Sequence, residues 1–127
     1  MPIEYVLDRG RQRLTIIGRD PADVSDVLAW LQRQAADGAW AYSALDDLRL
    51  VTPNPTMADV QLILSQVTTL SAAHGLRGPV AVVATNPLLF GMARVYAALS
   101  DMAAGEVGVF YDLVKAERWL GERKRAT

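Results

Sequence analysis

The chain has no cysteine in its 127 residues. That excludes a disulfide framework, a thiolate nucleophile and a cysteine-ligated zinc. It has one histidine, His74, too few for a histidine-built metal site. His74 precedes Gly75 at an expected helix end, where a cation suits the dipole. Charge of one sign is also missing. Thirteen basic and 14 acidic side chains leave a net charge of −1, so nothing draws the whole chain to nucleic acid or an anionic membrane. The one basic cluster, Arg123-Lys124-Arg125, reads as a solvated tail at a helix end. No apolar run approaches the roughly 18 residues that span a bilayer. Met1-Pro2-Ile3-Glu4-Tyr5 lacks the basic and apolar regions of a secretion signal; the expected location is cytoplasmic. The glycines form neither a phosphate loop nor a dinucleotide fingerprint, and no Gly-x-Ser-x-Gly elbow occurs. No cofactor and no enzymatic activity are expected.

What is present is apolar content of 51% in a chain long enough to bury a core as one domain. Ile3, Tyr5 and Leu7 alternate with other residues, as do Leu14 and Ile16, across the turn signal Asp8-Arg9-Gly10. This pattern predicts an opening β-hairpin. Asp20 and Pro21 are expected to cap and begin a helix whose stripe is Val24, Val27, Leu28 and Leu31, with Trp30 at its edge and Gly38 as its stop. A strand over Tyr42 to Leu48 leads into a stiff loop, Val51-Thr52-Pro53-Asn54-Pro55. Thr56 with Asp59 predicts a capping box, followed by a face of Val60, Ile63, Leu64, Val67 and Leu70 that ends at Gly75. Pro79 to Ala84 is a valine-rich run bounded by turn residues, as in a strand covered on both faces. Asn86 and Pro87 open the next helix, with Leu88, Met92, Val95, Leu99 and Met102 expected to face the sheet. A last strand over Glu106 to Tyr111 precedes Asp112, the cap of a helix carrying Leu113, Ala116, Trp119 and Leu120. The order β-β-α-β-α-β-α-β-α implies an α/β fold with a mixed, mostly parallel sheet and about four helices.

Tyr42-Ser43-Ala44-Leu45-Asp46-Asp47-Leu48-Arg49 is similar to the strand ending in Asp-Leu-Arg of the SpoIIAA-like proteins, relatives of the STAS domains that include anti-sigma-factor antagonists. The likeness continues through Val80 to Ala84, Phe90 to Tyr96, Val109 to Asp112 and Trp119-Leu120. It covers nearly the whole chain as a single domain. It implies a sheet of about five strands with helices over it. In the antagonist branch a phosphorylatable serine follows an aspartate at the end of the third strand. Here Leu48 and Arg49 follow Asp47, so the phosphorylation switch is not carried over.

Ligands of open α/β sheets bind outside the carboxyl ends of the strands. Those ends are Asp46-Asp47-Leu48-Arg49, Thr85-Asn86-Pro87 and Tyr111-Asp112. Helix N-termini open on the same rim and offer free N–H groups. Arg49 or Arg94 can act there as a forked donor to a small anion, or Arg49 can simply pair with a neighbouring carboxylate. Thr52 and Thr56 are the nearest hydroxyls, with Thr56 already used as a cap. Asp46 and Asp47 point to opposite faces, so they suit turns and caps better than acid/base chemistry. Phe90 and Leu62 lie off the expected stripes; each either anchors a partner or tucks under a loop. The rim of Asp47, Arg49, Thr52, Thr56, Asn86, Phe90, Arg94 and Asp112 therefore supports two functions. The first is a protein–protein interaction module, expected to form a homodimer or to bind another protein. The alternative is a carrier of a small apolar or anionic ligand, with an apolar cleft near Phe90, Leu62 and the last helix.

Overall fold

The computed structural model describes residues 3–52, 55–100 and 105–126, the last three as backbone only. The expected loop residues Pro53 and Asn54, the stripe residue Met102, and the side chains of Lys124 and Arg125 lie outside the described set.

The hairpin forms as expected. β1 (Ile3–Asp8) pairs antiparallel with β2 (Arg13–Arg19), with Tyr5 opposite Ile16. The rest alternates: α1 (Val24–Ala36), β3 (Ser43–Leu50), α2 (Met57–His74), β4 (Val80–Val83), α3 (Pro87–Ser100), β5 (Val107–Phe110) and α4 (Leu113–Ala126). The sheet order is β1-β2-β3-β4-β5, parallel from β2 onward.

Each strand after the hairpin is added beside its predecessor in one direction. With a constant crossover hand, such an order puts all the connecting helices on one face. The packing agrees. Leu14, Ile16, Ala44, Val80 and Val82 bury against Trp30, Leu31 and Ala35 of α1 and Val67 and Leu70 of α2, with Ala93 of α3 alongside. The alternate residues Leu45, Ala81 and Val83 pack on Ala116 and Leu120 of α4. β4 is thus buried on both faces, as its valine-rich run predicts.

Three expectations are corrected. Asp20 does not cap α1. Its carboxylate accepts hydrogen bonds from the Thr52 backbone N–H (2.9 Å) and hydroxyl (2.6 Å), tying two loops together. Asp23 takes the cap, in a reciprocal box with Asp26. The chain offers two aspartates three residues apart, and only Asp23 has the carboxylate-to-N3 reach once the loop is held by Thr52. Gly75 ends α2 with positive φ, 93°, but with extended ψ of −173° instead of the left-handed cap. The third correction concerns α3. Leu88, Val95 and Leu99 are 63%, 37% and 47% exposed, while Leu89 and Ser100 are buried. Leu88-Leu89 and Met92-Ala93 offer two apolar stripes one residue apart, so periodicity cannot choose between them. The sheet takes the stripe with small Ala93 and Ser100. Its polar members are satisfied: Ser100 Oγ donates to Ala97 O at 3.0 Å, and Tyr96 Oη accepts from Arg77 at 3.3 Å.

Candidate ligand-binding site

The residues that converge are not those of the rim. In β3 the two-residue alternation turns Ala44, Asp46 and Leu48 toward the three-helix face. Asp46 is aligned with Ile16 on one side and Val82 on the other. It is only 6% exposed, and among the described residues its carboxylate makes no hydrogen bond; its Oδ1 is an orphaned buried acceptor. Burial pushes its carboxyl up to about 6, and the charge of Arg77 works the other way.

Arg77 lies in the turn between α2 and β4 and is 4% exposed. Its guanidinium carbon is 5.2 Å from the Trp40 ring centroid, a cation–π distance. Its Nη1 donates to Tyr96 Oη at 3.3 Å, and its Nε has no partner. Among the described residues no carboxylate oxygen comes within 4.0 Å of this guanidinium. Gly78 fixes where the turn passes: a Cβ there would run into the carbonyl oxygens of Ala41 and Tyr42. Tyr96 completes the group. Burial raises its phenol, the Arg77 charge lowers it, and Asp46 raises it again.

All three side chains line one cavity of about 370 Å³ between the sheet and helices α1, α2 and α3. The floor includes Ile3, Leu48, Val80 and Val82, and the walls include Trp30, Val60, Ile63 and Met92. Asp23 and Asp59 also line it, each in a capping box at a helix start. The volume falls at the low end for small-molecule pockets, and the mix of apolar walls with few polar groups is the usual one. No cluster of three or more potential metal-ligating His, Cys, Asp or Glu side chains occurs among the described residues.

The rim residues are placed where the sequence puts them, but they satisfy one another. Arg49 binds Asp47 through two nearly parallel contacts, Nε to Oδ1 at 2.9 Å and Nη2 to Oδ2 at 2.8 Å. That pairing, led by the Arg49 hydrogen bond, lowers the Asp47 carboxyl below its ordinary value. Thr52 is held by Asp20. Thr56 Oγ1 accepts from Asp59 N at 3.1 Å. Asn86 Oδ1 accepts from Leu88 N at 2.9 Å, and Asp112 Oδ1 accepts from Lys115 N at 3.1 Å. Arg94 is exposed along α3 and joins none of these. Phe90 stacks on Tyr111, with centroids 3.8 Å apart and planes within 3°, and Tyr111 is itself 57% exposed. Leu62 is 51% exposed. The cavity lies on the same sheet face as α2 and α3, which carry Leu62 and Phe90, but neither residue lines it.

The sequence reading missed Asp46, Arg77 and Tyr96. One signal was available for Asp46. Continuing the alternation from Ala44 sends it inward with Leu48, and a carboxylate on that face needs an explanation. Nothing local marks Arg77 or Tyr96.

These features define a class: an α/β domain whose sheet is wound in one direction, with a small-molecule-sized cavity holding a buried, unjoined carboxylate and guanidinium. Compared with family models, curated proteins and solved structures, the chain matches none.

Proposed function

We propose that this protein is a small-molecule-binding domain that performs no chemistry on its ligand. The observation that carries this reading is the pair Asp46 and Arg77, opposite charges buried in one apolar cavity without contact. Buried charges that are neither paired nor fully hydrogen-bonded cost several kcal/mol each, on the order of what a whole domain has to spare. A ligand that supplies hydrogen bonds to both offsets that cost. Native mass spectrometry of the freshly purified chain is the test. The expected result is an extra mass on each chain, lost on denaturation and absent from Ala93→Phe, which fills the cavity from α3. A bare mass, together with a gain in stability for Ala93→Phe, would mean that the cavity is only a packing defect and would sink the reading.

A second reading, self-association, is favoured by the outer face of α3. Leu88, Val95 and Leu99 expose an apolar strip there, and exposed apolar strips are commonly interfaces. Membership of the SpoIIAA-like group remains part of the proposal. What supports it is the sequential five-stranded sheet with its opening hairpin. The cytoplasmic location expected from the sequence belongs with it. Among the described residues no helix is long and apolar enough to cross a membrane.

A further inference from the structure

We propose, resting on the ligand-binding reading, that the ligand is an uncharged, mostly apolar molecule ending in one group that both donates and accepts hydrogen bonds, such as a primary carboxamide, held between the Asp46 carboxylate and the Arg77 guanidinium. Three observations lead there.

The first is reach. The two charges line the same cavity and lie more than 4.0 Å apart, which leaves room between them for an interposed group. The second is complementarity. Among the described residues the Asp46 carboxylate has no hydrogen bond, and the guanidinium spends only Nη1, on Tyr96. A carboxylate accepts and a guanidinium only donates. A group that satisfies both must therefore donate on one side and accept on the other. The third is charge. Asp46 and Arg77 cancel, so a charged headgroup would leave one net charge beside them in a mostly apolar space. An anion is opposed further by Asp23 and Asp59, which line the same cavity. A cation would be seated beside Arg77. The rest of the ligand meets Trp30, Val60, Ile63 and Met92, which reward apolar surface.

The probes are three molecules of one shape: 4-phenylbutanamide, 4-phenylbutanoate and 4-phenylbutylamine. Each is titrated calorimetrically into the full chain at about neutral pH. The amide is expected to bind at least about tenfold more tightly than either charged analogue, a difference of roughly 1.4 kcal/mol. Asp46→Asn leaves Arg77 unbalanced and should shift preference toward the butanoate by about tenfold or more. Arg77→Met leaves Asp46 alone and should shift it toward the amine by a similar factor. Either variant serves if the other does not fold, and the wild-type ranking stands without them. A wild-type preference for a charged probe overturns the inference, as do equal affinities for all three. Binding of none overturns it as well. In that case a retained adduct in the native mass measurement would leave the broader ligand-binding reading standing, and a bare chain would remove both.

Discussion

Asp46 holds its proton more tightly in the folded chain than in the unfolded one, because burial penalises its charge more than Arg77 relieves it. The sign follows from linkage. Between the ordinary carboxylate range and about 6, the native state binds more protons than the unfolded state. Asp46 therefore contributes most to stability at low pH, and that contribution is lost as pH rises toward about 6. The lowered carboxyls of Asp20, Asp23 and Asp47 act in the opposite sense, losing their contribution as pH falls. Comparing Asp46→Asn with wild type separates the two. In urea titrations across this window, the stability of the variant relative to wild type should rise with pH; a flat difference would mean that Asp46 is not buried as described. Gly78 gives a second test at this scale. Gly78→Ala forces a Cβ against two backbone oxygens that cannot swing away. It should cost about 2 kcal/mol or more in the same titration, whereas a neutral result would place the Arg77 turn elsewhere. Both residues show why the site was hard to read from sequence. A buried charge is recognisable only once its neighbours are known, and Arg77 bonds Tyr96 and shares a cavity with Asp46 across separate elements.

The elements themselves were largely legible. Caps at Thr56, Asn86 and Asp112 are formed by side chains of the right type at the right spacing, and such signals act over a few residues. Strand alternation in the hairpin and the buried run of β4 also read directly. Helix α3 was not legible in the same way. Its apolar residues surround the axis, and the choice of inward stripe was made by the close approach of Ala93 and by the partner of Tyr96. The structure predicts a sharp contrast between neighbours. Leu89, 6% exposed against Ala22, Val51 and Ala84, should lose about 2–4 kcal/mol on replacement by alanine. Leu88→Ala should change stability by less than about 0.5 kcal/mol. Thermal or urea midpoints for the two variants decide the orientation of the helix, and a reversed order would restore the stripe expected from sequence.

For the molecule as a whole, alternation of strands and helices was enough to anticipate a mixed, mostly parallel sheet joined by helices, because right-handed connections leave few alternatives. The sequence did not locate the cavity, which depends on how three helices lean over one face. It also turned the outer strip of α3, Leu88, Val95 and Leu99, inward onto the sheet. If that strip joins two copies, light scattering during size exclusion should report a dimer at micromolar concentration. Val95→Glu should then return a monomer while retaining the folded circular dichroism spectrum. A wild-type monomer at all concentrations would discard self-association.

The alternation of β3 and β4 has one more consequence. Asp46, Val80 and Val82 face the cavity, whereas Leu45, Ala81 and Val83 belong to the core under α4. The sheet is therefore a partition between two compartments that share a wall and no contents. Arg13, 8% exposed, is bolted to Glu117 of α4 at 2.6 Å across the far side. That ion pair braces the sheet against α4, while what the fold can hold is decided on the other side of the wall.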